Sequence, residues 1–387
     1  MVNKKICIVT GSSSEYGPLK LLIKKIDISN KLSLQLLVTG MHLLKKYGET
    51  INEINKDGFK IAKVIPMYSE NGFTERNLGK AIGNAISNFT DVFIDLKPDI
   101  LVVTGDRFES LASVIAASTL SIPIAHIHGG DSVPDGQIDE QIRHSITKFS
   151  HLHFAATKKH AKRIKQLGEE DWRIRVVGAI AMDSIFQEKL LNKKEICEEL
   201  SLDPLRKIII CSQHPYTYEA NKAGEQMRIT LDVLKKLELQ SVILYPTIDS
   251  GSQLIINEIE KDSEIPFFKI FKRLERKNYL SLLKNADILI GNSSSGILET
   301  PIFKIPFINI GNRNRGRELS GNVIDVNSDF DSINTAIFTA LSQEFKEECN
   351  KVENPYGDGT ASNQIVNILE ELSIDQKLIR KKHIFED

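Results

Sequence analysis

Three carboxylates in this chain are placed where proton transfer could occur. Gly105-Asp106-Arg107 closes the apolar run Ile100-Leu-Val-Val-Thr104. A second run, Ile122-Pro-Ile-Ala125, leads into His126-Ile-His-Gly-Gly-Asp131, and eight residues later comes Asp139-Glu-Gln-Ile-Arg-His144. Acids gathered at such points can take a proton from a bound substrate and return one. A single Gly-Asp pair is an ordinary turn; three in succession, each beside basic side chains, favour chemistry.

Two serine-rich turns could hold an anion. Thr10-Gly-Ser-Ser-Ser-Glu-Tyr-Gly17 follows one apolar run and precedes a helical pattern, so its free N–H groups favour phosphate, although a capped helix start explains it equally well. It is neither GxGxxG nor a P-loop. Gly291-Asn-Ser-Ser-Ser-Gly296 is the stronger candidate: Ser293 and Ser294 supply hydroxyls and small side chains, and Glu299 could accept from ribose hydroxyls. Arg313, Arg315 and Arg317 come just past the next apolar run, and arginine's planar fork suits phosphate. His214, in Cys211-Ser-Gln-His-Pro215, ends another run and is expected to contact a departing diphosphate. Asp249 and Gly251 are weaker candidates of the same kind. His126 and His128 alternate as strand residues, but no third ligand stands at a matching spacing, so no metal site is expected.

These residues need strands to carry them. Short runs rich in Ile, Val and Leu recur at 5–10, 34–39, 62–66, 100–104, 122–127, 152–155 and 174–177, then at 208–212, 241–246, 267–271, 287–290, 307–310 and 323–326. Being apolar on both faces, they read as strands of parallel sheets covered by helices. The intervening segments suit crossover helices, as at 109–120 and 226–236. Ligands would then lie beyond the carboxyl ends of the strands, in a cleft between two doubly wound domains.

The bulk properties agree. At 387 residues the chain exceeds the size at which one core stops growing. A formal net charge of −1 with no basic block argues against nucleic-acid binding. The four cysteines form no CxxC pair, which suits a reducing compartment. With no signal-like or membrane-spanning run, a cytoplasmic protein is expected.

The chain resembles the UDP-N-acetylglucosamine 2-epimerases, specifically the hydrolysing branch of sialic and legionaminic acid synthesis. The resemblance runs from about Lys5 to Glu371 and rests on Val38-Thr-Gly-Met-His-Leu43, Thr104-Gly-Asp-Arg107, His126-Ile-His-Gly-Gly130, Ile142-Arg-His-Ser-Ile-Thr-Lys148, Ser150-His-Leu-His153, Gly291 to Glu299, Asn309-Ile-Gly-Asn-Arg313 and Asn354 to Ser362. It implies an α/β, GT-B-like fold: a Rossmann-like domain over 1–180 with the acids, a nucleotide-binding one over 181–362, and a C-terminal helix over 363–387 packing back on the first. Carried over residue by residue, Asp106, Asp131 and Asp139 match the catalytic acids, Arg143 the arginine after the third acid, and His214 the histidine beside the diphosphate. Ser293, Ser294, Glu299 and Arg313 match the nucleotide-binding set.

The implied reaction removes the C2 proton of the sugar as the nucleotide leaves C1, then hydrates the 2-acetamidoglycal with inversion at C2. The implied substrate is UDP-N-acetylglucosamine, giving N-acetylmannosamine and UDP; the alternative is UDP- or GDP-N,N'-diacetylbacillosamine. Asp106 is expected as the first base, with Asp131 and Asp139 serving hydration. A cofactor is not required, and a homodimer or homotetramer is expected. Two departures stand out: Ser13 where the family usually has arginine, and Asp131 where glutamate is usual.

Overall fold

Apolar runs of four to eight residues cannot bury both faces alone, so they assemble edge to edge under a cover of helices. The computed structural model describes residues 3–45, 48–69, 75–132, 138–187, 189–246 and 250–384. Asp249 lies outside them. Two compact units emerge, Met1–Phe186 with Tyr356–Asp387, and Gln187–Pro355.

In the first unit β1 (Lys4–Thr10), β2 (Leu32–Thr39), β3 (Ile61–Ile65), β4 (Ile100–Thr104), β5 (Ile124–Ile127), β6 (Leu152–Ala155) and β7 (Ile174–Val176) form one sheet in the order β3-β2-β1-β4-β5-β6-β7. Every pairing is parallel. Alternate residues of β1 feed opposite cores: Ile6 and Ile8 pack with the helix Ser13–Asp27, Cys7 and Val9 with Phe89 and Phe93. The strand order reverses between β1 and β4, and a crevice opens at such a switch point.

The second unit repeats the plan with β8 (Ile209–Ser212), β9 (Ser241–Leu244), β10 (Phe268–Phe271), β11 (Ile288–Gly291), β12 (Phe307–Ile310) and β13 (Val323–Val326), ordered β10-β9-β8-β11-β12-β13. Its switch point lies between β8 and β11. Both sheets are the parallel, helix-covered kind that the apolar runs predict.

The chain returns to the first unit at Tyr356, earlier than the helix expected over 363–387, and residues 181–186 also belong there. Asp183 gives the reason. Buried in the helix Ile180–Gln187, it accepts from the N–H groups of Ala361 (3.1 Å) and Ser362 (2.5 Å), which open the helix Ala361–Glu371. A carboxylate at a helix N-terminus satisfies donors that the helix itself cannot. Ala361, Ile365 and Leu369 then join the core beside Leu19, Leu22 and Ile23. Gly178, at φ +91°, passes so close to the Tyr356 carbonyl that a Cβ would lie 3.1 Å from it.

Candidate active site

At the first unit's switch point a cavity of about 320 Å3 is lined by Glu15, Asp106, Arg107, His128, Asp131 and Arg143, among others. Asp106 sits on the turn after β4, which β5 braces twice. Gly105 N–H donates to the Ile127 carbonyl at 3.0 Å, and His126 Nε2 donates to the Gly105 carbonyl at 2.8 Å. His126 is fully buried; burial lowers its pKa to about 3, so the ring is neutral and its role is to hold this turn. Arg143 bonds the Asp106 carboxylate directly, and its Nη1 also reaches the Asp131 carbonyl at 3.3 Å. One guanidinium therefore ties the two acidic loops together.

The His128-Gly-Gly-Asp turn depends on its glycines. A Cβ on Gly130, at φ +77°, would lie 2.3 Å from the His160 carbonyl, so only glycine lets the turn close on the helix Lys158–Gln166. That contact delivers Asp131 Oδ1 to 3.3 Å from His160 Nε2. His128 itself holds a left-handed φ of +64°, uncommon outside glycine. Burial depresses its pKa to about 4, with the Asp131 charge opposing, so it enters the cavity wall as a neutral imidazole.

Asp139 is placed differently from the other two acids. It is exposed in the first turn of the helix Ile138–Phe149 and is not among the described residues that line the cavity. Its neighbour Glu140 faces inward, with Oε2 3.4 Å from Arg143 Nη1 and Oε1 3.1 Å from His144 Nε2.

The turn after β1 also differs from a phosphate cradle. The Gly11 N–H, which would face an anion, is taken by Glu15 Oε2 at 2.9 Å. Glu15 and Glu109 flank Arg107, whose Nη2 donates to Glu109 Oε1 at 3.0 Å and whose Nε lies 3.9 Å from Glu15 Oε2. Gly11 and Gly40 make room for Glu109: a Cβ on either would come within 3 Å of its side chain. Burial raises the Glu15 pKa to about 7; Arg107 opposes that rise and Glu109 adds to it. Sequence reasoning overlooked Glu15 and Glu109 as chemical groups. Glu15 and Glu109 stand in the first turns of the helices Ser13–Asp27 and Phe108–Thr119, and only the fold brings Glu15 beside Arg107.

In the second unit His214, Ser293, Ser294 and Arg313 stand beyond the ends of β8, β11 and β12, which are neighbours in the sheet. Asn292 joins these loops. Its Oδ1 accepts from His214 N–H at 2.7 Å, its Nδ2 donates to the His214 carbonyl at 2.9 Å, and its own carbonyl accepts from Arg313 Nη1 and Asn314 Nδ2, each at 3.0 Å. Asn314 is held in turn by Asn309, whose amide reaches Asp325. Arg315 and Arg317 are exposed, so Arg313 is the arginine fastened over the serine turn. Gly291 is required there, since at φ +130° a Cβ would sit 2.1 Å from the Ser212 carbonyl. The helix that follows, Ser295–Leu298, is a single turn before Thr300–Phe303, so its dipole adds little. Anion binding there rests on N–H groups, hydroxyls and Arg313. Glu299 is half-buried, and loss of water around its carboxyl raises its pKa against a 2.5 Å hydrogen bond from Ser295 Oγ and the Arg276 charge.

A model of the UDP-N-acetylglucosamine 2-epimerase family matches residues 24–370. The chain belongs to that family. Within it, a UDP-N,N'-diacetylbacillosamine 2-epimerase (hydrolyzing) from Legionella pneumophila is 36% identical over 378 residues, 98% of each chain. A GDP/UDP-N,N'-diacetylbacillosamine 2-epimerase (hydrolyzing) from Campylobacter jejuni is 39% identical over 352 residues, 90% of each chain. Both of these relatives are, by name, of the hydrolysing branch. The crystal structure of UDP-GlcNAc 2-epimerase from Neisseria meningitidis bound to UDP-GlcNAc superposes with a TM-score of 0.77 at 21% identity, covering 94% of this chain and 99% of that one. At that identity it establishes a shared fold of two Rossmann-like units. Among the described residues no helix of the chain is long and apolar enough to cross a membrane, and its four cysteines are buried and unpaired.

Proposed function

We propose that this epimerase hydrolyses a nucleotide-linked N,N'-diacetylbacillosamine with inversion at C2, releasing nucleoside diphosphate and the free epimer. One observation carries the substrate: the two relatives so named, at 36% and 39% identity, align along 98% and 90% of the chain. This reading takes precedence over the UDP-N-acetylglucosamine expected from the sequence motifs.

The cavity's chemistry supports the reaction. In elimination, Asp106 takes the C2 proton, and the electron pair of the C1–O bond leaves with the diphosphate. Arg143, bonded to Asp106, holds that carboxylate in place over the cavity. Asp131, carried on the adjacent turn, is suited to activating the water that adds to C1. Asp139 is kept as a candidate for hydration beside Asp131; Glu140, its neighbour, lies 3.4 Å from Arg143. In the second unit Ser293, Ser294 and Arg313 are suited to the diphosphate, Glu299 to the ribose, and His214 to the charge that develops on the leaving group. Oxidation state is unchanged overall, so the reaction needs no redox cofactor.

The test is direct. Purified protein is supplied with UDP- and GDP-N,N'-diacetylbacillosamine and UDP-N-acetylglucosamine, and free nucleotide and free sugar are measured. The highest kcat/KM is expected for a diacetylbacillosamine nucleotide. Preference for UDP-N-acetylglucosamine would return the substrate to the simpler sugar.

A further inference from the structure

Asp106 is bonded to Arg143, and Asp131 Oδ1 lies 3.3 Å from His160 Nε2, so both acids already assigned have side-chain partners. Hydration of the glycal also needs a group that gives a proton. Glu15 is built for this. Its side chain is 9% exposed and lines the same cavity as Asp106 and Asp131. Its Oε2 is occupied by the Gly11 N–H, while its buried Oε1 has no hydrogen-bond partner among the described residues. Among the described residues the cation beside it is Arg107, which makes its close contact with Glu109 instead. Two buried carboxyls and one guanidinium carry an uncompensated charge unless one carboxyl keeps its proton.

We propose that Glu15 is a further catalytic acid of this pocket, held protonated beside the Arg107–Glu109 pair, and that it gives its proton to C2 of the glycal. The Glu15 O–H bond breaks as the C1–C2 double bond takes the proton to form C2–H. Water oxygen bonds to C1 and its surplus proton passes to Asp131. Exchange with solvent returns a proton to Glu15 and removes one from Asp131. The groups facing Glu15 are Arg107 and Glu109, with the Tyr68 hydroxyl near Glu109 and His42 near Arg107. Its environment holds the carboxyl's pKa at about 7, so the proton is present below that pH and lost above it.

This step rests on the elimination and hydration proposed above, and the test separates the two. Glu15→Gln keeps the shape and removes the transferable proton. It is expected to cut formation of saturated free sugar at least ~100-fold, while first-turnover nucleotide release stays close to wild type and the 2-acetamidoglycal accumulates. Wild-type turnover should decline as pH rises through about 7. Glu109→Gln, which frees Arg107 for Glu15, should move that decline to lower pH. Equal loss of nucleotide and sugar in folded Glu15→Gln, with no glycal, would overturn the assignment, as would a wild-type pH profile in that variant. Wild-type protein that releases nucleotide from none of the sugar nucleotides would instead overturn the reaction itself, and the Glu15 step with it.

Discussion

Asn292 and His214 hold each other by two reciprocal hydrogen bonds, side-chain amide to backbone, across the ends of β11 and β8. The same asparagine offers its carbonyl to Arg313 and Asn314. Three loops of the second unit therefore share one small polar residue that is 4% exposed. Replacing it leaves a backbone donor and acceptor of His214 without their partners, a cost of about 1–3 kcal/mol. Asn292→Ala is expected to lower the melting temperature and to weaken UDP binding together. Calorimetry with unchanged affinity would separate the clamp from nucleotide binding.

Asp106→Asn is expected to leave nucleotide binding nearly intact and to cut turnover at least ~100-fold, the lower range for a lost general base. The asparagine cannot accept the C2 proton, although its carbonyl oxygen can still accept from Arg143. Full turnover by a folded variant would remove Asp106 from the mechanism.

Arg313→Ala and Ser294→Ala are expected to weaken diphosphate binding with little change in the folded structure. The arginine should cost more, about 1.5–3 kcal/mol for a charge-assisted hydrogen bond. Ser294 is half-buried and caps nothing with its side chain, so its hydroxyl is available to a ligand. Titration of each variant with UDP measures the difference.

Ser13 is exposed at the first position of the helix Ser13–Asp27, which leaves space for a longer side chain. Ser13→Arg adds a cation near the cavity and is expected to lower KM for the sugar nucleotide by a charged phosphate contact. An unchanged KM would mean that this loop does not face the phosphates.

Stability should fall in mild acid. Burial lowers the pKa of His126 to about 3 and those of His42, His128 and His151 to about 4, against about 6.5 in an unfolded chain. Between these values the unfolded chain binds protons that the folded one refuses, so stability is full above about pH 6.5 and is lost as pH falls towards 4. Melting temperatures across that range should decline before most carboxylates titrate. A flat profile would contradict the neutral, buried state of these rings.

Much of the architecture was legible because its causes are local. Apolar runs on both faces mark strands, and Gly-Asp and Gly-Ser turns mark their ends, so the places of Asp106, Asp131, Ser293 and Arg313 followed from neighbouring residues alone. The partners of these groups did not, because strand order decides which loops meet. The order β3-β2-β1-β4 brings Gly11, Gly40 and Glu109 together from beyond the ends of β1, β2 and β4, and only in that juxtaposition does Glu15 share a guanidinium with another acid. Asp139 illustrates the converse: in the sequence it follows Asp131 as one more acid of the same set, but in the structure it is exposed on the first turn of its helix and Glu140 is the acid that contacts Arg143. Asn292 reads in the sequence as one more residue of a serine-rich turn, and it becomes a hub because β8, β11 and β12 lie side by side. Local chemistry thus determined the strands and the kinds of group at their ends. Tertiary structure decided which of those groups share a proton, a charge or a hydrogen bond, since these interactions act over a few ångströms between residues far apart in the chain.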